Sequence, residues 1–320
     1  MTDQSIGVGD WSQAQKPQTR TSTTVIYNPV AGSAPDKEEL SARLGDDIEL
    51  VATSETDPGT GQAAEAVERG ANHVVACGGD GTVRAVLESL VGTEAILGLL
   101  PFGTGNLLAS NLGLESGFDG YIDTAPENVR RIDTGRVNGE SFAVMAGTGF
   151  DAEMMADAPS SVKERLGVVA YVIAAARHLR DDLIRTTIDI DGQRWFDGRS
   201  AMVLVGNFGT ISGGIEVFPD AQPDDGQLDV LVLSASSLRD WAKIAWRIVR
   251  RQTLADVPAE RTKAADIVVA TSRPRRWELD GDERKPADRL HFTVEPASLS
   301  VTHSSEAIGE TRQEREASNA

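Results

Sequence analysis

A single cysteine, Cys77, stands in the 320 residues, so no disulfide and no cysteine-based metal centre can form within the chain, and a reducing compartment is expected. Lysine is scarce as well: six of the 31 basic residues, leaving 25 arginines. The four histidines, His73, His178, His291 and His303, show no metal-ligand spacing. No run of about 18 apolar residues is present to span a bilayer. The longest candidate, Leu166 to Leu179, is interrupted by Arg177. The opening stretch MTDQSIGVGDWSQAQ has no apolar core of the signal-peptide kind. Positive charge is outweighed, with a net charge of −18, which disfavours a nucleic-acid partner because such a field repels phosphate backbones. An acidic, lysine-poor surface also fits a protein that works in concentrated salt, where charge repulsion is screened.

Glycine, by contrast, is placed where it carries chemistry. His73 to Thr82 reads HVVACGGDGT: a short apolar run, then Gly78, Gly79, Asp80 and Gly81, then an amphipathic segment VRAVLESLVG. This pattern predicts a buried strand, a turn too tight for side chains, and a helix beginning at or just after Thr82. Glycines let the backbone approach a ligand, and the helix N-terminus offers free N–H groups to a phosphate. A carboxylate among them, Asp80, calls for a cation such as a nucleotide-bound Mg²⁺.

Two further strand ends look alike. TTVIYNPVAGS gives a strand near 23–27 and a loop with Asn28 and Gly32, and AILGLLPFGTGNLLASNL gives a strand near 95–100 and a loop with Gly103, Thr104 and Asn106. With a strand near 48–52 and helices near 36–44, 59–69, 82–91 and 105–112, residues 23–132 read as an open α/β domain with a mainly parallel sheet. Strand-end loops of this kind form a crevice at the carboxyl edge of the sheet. Residues 133–302 change character. Short strands are separated by turns such as Asn138-Gly139 and Asp191-Gly192, which predicts an antiparallel β-sandwich interrupted by helices near 161–179 and 237–252. Residues 1–22 and 303–320 read as disordered tails.

Taken in order, NPVAGS, GGDGTV, LPFGTGNLLA, AGTGFDAEM, VGNFGTISGGIEVFPDAQPDDGQLDVLVL and WELDGD resemble the catalytic domain of the diacylglycerol kinase and sphingosine kinase family of lipid kinases, within the wider group of NAD kinases and phosphofructokinases. The resemblance spans about Thr23 to Val301. It implies an active site between the two domains, with ATP and Mg²⁺ as cofactors. Asn28, Gly32, Gly79, Gly81, Thr82, Gly103, Thr104 and Asn106 match the nucleotide loops, Thr53 resembles a nucleotide-contacting threonine, and Asp80 matches the metal-linked carboxylate. The general base of the family closes a DGE motif. Here the motif reads Asp280, Gly281, Asp282, so Asp282 is the expected base and is one methylene shorter, with Glu283 next in line. An ordinary Asp-Gly turn accounts for the same residues. Gly149 and Asp151 match a motif near the cleft, and Gly213 and Gly214 suggest a loop that needs positive φ.

PDAQPDDGQLD crowds Asp220, Asp224, Asp225 and Asp229, which repel unless a hard cation such as Mg²⁺ or Ca²⁺ binds them. Some bacterial relatives hold a structural Mg²⁺ in the matching loop. That makes Asp225 and then Asp224 the expected metal ligands; a plain acidic surface is the competing reading. SLRDWAKIAWRIVRRQ, near 237–252, places Trp241 and Trp246 beside five basic residues, as a peripheral membrane contact would, although core packing explains its apolar stripe equally. The whole predicts a cytoplasmic, membrane-visiting kinase acting on a diacylglycerol-like lipid, or on a dialkylglycerol if the source is a halophilic archaeon. A sphingoid-base kinase, an NAD kinase-like enzyme and a catalytically silent homologue remain as alternatives, and a homodimer is left open.

Overall fold

The structure is a computed structural model that describes residues 22–30, 34–45, 47–121, 123–149, 183–211, 215–234 and 259–304. Gly32, Asp151, Gly213, Gly214, residues 1–21 and 305–320 of the expected tails and the helices expected near 161–179 and 237–252 lie outside the described residues. Ser22, His303 and Ser304, expected in the tails, are instead tied by backbone hydrogen bonds to Asn72 and His73, to Asn128 and to Leu112.

The first part alternates β1 (Thr23–Tyr27), α1 (Lys37–Leu44), β2 (Glu49–Ala52), α2 (Thr60–Glu68), β3 (His73–Gly78), α3 (Asp80–Leu90), β4 (Ile96–Pro101) and α4 (Leu107–Asn111). The four strands run parallel in the order β4-β3-β1-β2. Alternate residues serve opposite faces, as strand geometry requires. Ile26, Val74, Ala76, Leu97 and Leu99 pack with α2 and α3, whereas Val25, Tyr27, Val75, Cys77 and Leu100 pack with Leu40 of α1. With both faces covered, β3 is buried throughout. Burial pushes the Cys77 thiol up to about 12, so this cysteine is a packing residue.

One boundary differs from the sequence expectation. Helix α3 begins at Asp80, two residues before Thr82, after Gly79 in an extended N-cap conformation. Asp80 therefore occupies the first turn, where a carboxylate complements the positive end of the helix dipole.

The second part is built from β5 (Val129–Val137), β6 (Glu140–Phe142), β7 (Met145–Thr148), β8 (Ile184–Ile190), β9 (Gln193–Ser200), β10 (Met202–Gly206), β11 (Thr210–Ile211), β12 (Ile215–Glu216), β13 (Leu228–Leu233), β14 (Ala259–Ala264), β15 (Asp266–Leu279) and β16 (Asp282–Thr302). It forms the expected C-terminal antiparallel β-sandwich, with Phe142, Ile188, Val205, Val230, Trp277 and Phe292 among the side chains of its core. Three two-residue turns close hairpins: Asn138-Gly139, Asp191-Gly192 and Asp280-Gly281. In each, both residues have positive φ (49° and 96°, 49° and 78°, 47° and 88°), the backbone that matches strand twist.

The two parts share one sheet. The end of β16 runs parallel to β4, with Ser300 opposite Ile96 and Val301 opposite Leu97, while its middle pairs antiparallel with β5. Leu299 and Val301 thereby join the core containing Leu97 and Leu99. This seam joins the second part to the first along the side of β4, at the start of that strand.

Candidate active site

Parallel pairing sends the ends of β1, β2, β3 and β4 to one edge, and it is there that the glycine loops meet. Asn28, after β1, donates its backbone N–H to the Cys77 carbonyl, and Thr53, after β2, donates to that of Tyr27. The loops after β3 and β4 are in direct backbone contact: a β-carbon on Gly103 would lie 2.5 Å from the Gly79 Cα. Glycine at 79 and 103 is thus what lets the two loops touch. Asn106 shapes its own loop, its side-chain oxygen accepting from Gly103 N–H and its amide donating to the Gly103 carbonyl, both at 2.9 Å. Its left-handed backbone, φ 44°, starts α4. Thr104 is exposed. Thr82 is buried beneath the turn, and its Oγ1 would meet a β-carbon on Gly78 at 2.8 Å. Thr82 thus packs against the backbone of Gly78 at the end of β3.

Asp80 joins the two loops. Its Oδ1 accepts the Leu107 N–H at 2.6 Å, linking the starts of α3 and α4. Burial pushes its carboxyl above the ordinary range, against the N–H donors of Leu107 and Asn106, and the charge of Asp282 adds to the rise. A half-buried anion close enough to feel a second anion in a glycine-lined crevice is a donor set that suits a hard cation.

Asp282 reaches this crevice from the other side. A β-carbon on Gly81 would lie 3.6 Å from Asp282 Oδ1, so the carboxylate faces the first turn of α3 at van der Waals distance. Its other oxygen is held: Arg84 Nε donates to Oδ2 at 2.7 Å. Arg84, one turn after Asp80 on α3, also approaches Glu140 at 3.7 Å, and Arg284 bonds Glu140 at 2.9 Å and stands 4.0 Å from Asp282. Two cations and two carboxylates so clamp the β15–β16 turn onto α3. One turn further, Glu88 accepts the Ser141 N–H at 2.8 Å, tying the same helix face to β6. Glu283, the neighbouring acid, is paired with Arg276.

Asp280 has another task. It is buried, and its carboxylate accepts three backbone N–H groups: Ala143 on Oδ2 at 2.8 Å, and Val144 and Met145 on Oδ1 at 3.0 and 2.9 Å. Burial pushes its carboxyl up to about 6 in spite of those donors, and the Asp80 charge adds to the rise. Asn207 continues this framework, donating its side-chain amide to the carbonyls of Asp133 and Ala143. Buried Asp133 in turn accepts the N–H groups of Gly226 and Ala297, each at 2.7 Å. Glu278, two residues before Asp280, is pushed up to about 7 by burial and by the Glu283 charge.

The residues expected at the nucleotide crevice are thus mostly gathered there, and three were not signalled by sequence. Arg84 sits in an ordinary amphipathic helix, and Glu140 and Arg284 are single charges on strands. Only the helical offset from Asp80 to Arg84 could have pointed to a shared face. Gly149, with φ 104°, is fixed by packing, since a β-carbon would lie 2.3 Å from the Ala201 carbonyl.

The acidic loop stands apart from this crevice. Asp224 pairs with Arg130 at 2.7 Å, and Asp225 with Lys263 at 2.9 Å. Among the described residues no group of three or more His, Cys, Asp or Glu side chains is arranged to hold a metal ion.

Comparison with known proteins places this arrangement. The diacylglycerol kinase catalytic domain matches residues 22–137, and the YegS C-terminal NAD kinase beta sandwich-like domain matches residues 143–303. The chain belongs to the diacylglycerol kinase family. A diacylglycerol kinase of Bacillus subtilis is 31% identical over 271 residues, covering 81% of this chain and 88% of the relative. One from Staphylococcus haemolyticus is 26% identical over 285 residues, covering 85% and 86%. In fold, the crystal structure of a diacylglycerol kinase from Bacillus anthracis superposes with a TM-score of 0.73 at 22% identity, covering 89% of this chain and 97% of that one. An NAD kinase from Archaeoglobus fulgidus, solved with ATP, superposes at 0.50 with 12% identity, covering 91% and 98%. A kinase of the diacylglycerol kinase family is what these relatives support. No helix among the described residues is long and apolar enough to cross a membrane.

Proposed function

We propose that this chain transfers the γ-phosphoryl group of ATP to the primary hydroxyl of a diacylglycerol-like lipid, with Asp282 as the general base. The observation that carries the reading is the meeting of Asp282 Oδ1 with the Gly81 turn, beside the half-buried carboxylate of Asp80. A base must come within about 3 Å of the hydroxyl whose proton it takes, and must be held there. Arg84 holds one oxygen of Asp282, and the other faces the first turn of α3.

Each residue then has a task. The N–H groups around Gly79 and Gly81, at the start of α3, bind the phosphates, with the Gly103 loop, Asn28 and Thr53 at the neighbouring strand ends. Asp80 holds Mg²⁺, which neutralises phosphate charge when bound. The acceptor hydroxyl oxygen forms a bond to the γ-phosphorus as the bond to the bridging oxygen of ADP breaks, and the hydroxyl proton passes to Asp282. Residues 23–132 serve the nucleotide and residues 133–302 the lipid, which reaches the crevice from a membrane surface. The names of the Bacillus and Staphylococcus relatives support diacylglycerol as the acceptor class.

The test is transfer from γ-labelled ATP with Mg²⁺ to mixed micelles of diacylglycerol, dialkylglycerol or sphingosine, with NAD assayed in parallel. Label in diacylglycerol or dialkylglycerol, lost in Asp80→Asn, is expected. Label in NAD alone overturns the lipid reading. ATP binding with no transfer to any acceptor makes the chain a silent homologue, the outcome that the Arg84–Asp282 ion pair would then explain.

A further inference from the structure

The acidic loop before β13 carries Asp220, Asp224 and Asp225, with Asp229 on the strand itself, and one lysine stands among three of these four residues. Lys263 lies on β14 directly opposite Asp229 on β13. Its Nζ donates to the Asp220 carbonyl oxygen at 2.8 Å and to Asp225 Oδ2 at 2.9 Å, and stands 3.5 Å from Asp229 Oδ2. An ammonium has three N–H donors, and here three oxygens surround it. The pocket is also sheltered, with the side chains of Asp225 and Asp229 only 19% and 12% exposed.

These are the oxygens a divalent ion would need. Calcium and magnesium require six or more oxygen ligands at about 2.0–2.6 Å. A nitrogen already 2.8–2.9 Å from two of the candidate donors stands in that coordination sphere and repels a second cation. Asp224, the other expected ligand, faces away to Arg130. The residues present therefore do not fit a bound metal. Chain composition sharpens the point. Lysine is one of only six in a chain that otherwise uses arginine, and its compact ammonium is the basic group closest to a point charge.

We infer that the Lys263 ammonium is the resident cation of this loop, closing it without a divalent metal. The consequence reaches the crevice. The closed loop presents Gly226 N–H to Asp133, whose carbonyl accepts from Asn207, which in turn bonds the Ala143 carbonyl beside the Asp280 anchor. A built-in cation keeps this chain of contacts independent of metal supply. The inference does not depend on which lipid, if any, is phosphorylated.

The experiment is thermal unfolding of the full chain at constant ionic strength, with EDTA, Mg²⁺ or Ca²⁺ up to about 10 mM. Wild type is expected to unfold at the same temperature in all three. Lys263→Met, which keeps chain length and removes charge, is expected to unfold lower in EDTA and to recover by roughly 3 °C or more as the divalent ion saturates. Adding Asp225→Asn should abolish that recovery. A wild-type midpoint that falls in EDTA and rises saturably with Mg²⁺, an effect lost in Asp225→Asn alone, overturns the inference, and this arm stands even if Lys263→Met does not fold. A folded Lys263→Met that ignores divalent ions overturns it too.

Discussion

Replacing Asp280 separates anchoring from chemistry within three residues of one hairpin. In Asp280→Ala, the N–H groups of Ala143, Val144 and Met145 lose their acceptor while buried. At about 2 kcal/mol for each orphaned amide the loss is about 6 kcal/mol. Removing the buried charge returns part of this. Its carboxyl is raised from 3.8 to about 6, a net burden of about 3 kcal/mol on the ionised form. Alanine at φ 47° adds about 1 kcal/mol, so the variant should lose about 4 kcal/mol. Asp280→Asn tolerates that backbone and keeps one oxygen for Val144 and Met145, orphaning only the Ala143 amide while also removing the charge. The asparagine Nδ2 then faces the Ala143 N–H without an acceptor and costs about 2 kcal/mol more, so with about 2 for the orphaned amide and about 3 returned the expected loss is about 1 kcal/mol. Urea unfolding gives the two values, and amide exchange at 143–145 reports where protection is lost. If the two variants fall within about 1 kcal/mol of each other, the three-amide anchor is not what holds this turn.

Other perturbations follow from the same geometry. Arg84→Met frees Asp282 Oδ2, and steady-state kinetics should show kcat falling roughly tenfold to a hundredfold with the KM for ATP little changed, and Arg84→Lys recovering part of the loss. Gly103→Ala drives a β-carbon to 2.5 Å from the Gly79 Cα, and should cost about 1–3 kcal/mol in urea unfolding and weaken ATP binding by calorimetry. Asp229, Asp280 and Glu278 are raised to about 6, 6 and 7, so between about pH 4 and 7 the folded chain holds more protons than the unfolded one at these sites. Their contribution to stability is therefore greatest on the acid side and declines as pH rises through that window. Glu278→Gln should flatten the decline in melting temperature measured from pH 5 to 8.

How much of this was legible in the sequence depends on the range of the interaction concerned. The glycine loops and the strands before them announce themselves, because close backbone approach and continuous apolar burial are local demands met by local residues. The Asp-Gly turns are equally plain: Asp280 and Gly281 form a hairpin turn, after which the Asp282 carboxylate faces the first turn of α3. The start of α3 was misplaced because glycine at Gly79 and Gly81 reads as loop, although Gly81 lies inside the helix. Long-range pairs left no trace. Arg84 and Asp282 are 198 residues apart, and Lys263 lies 38 residues beyond Asp225. Nothing in periodicity or composition links them, so the crowded aspartates suggested a metal where the fold supplies an ammonium.

The most direct measurement is single-turnover phosphoryl transfer by Asp282→Asn at saturating ATP and micellar diacylglycerol, with ATP affinity determined on the same protein. With Asp282 as the base, the chemical step should slow by about 10²–10⁴-fold while ATP binds within a few-fold of wild type. A rate within about tenfold of wild type would contradict it and move the proton to another group.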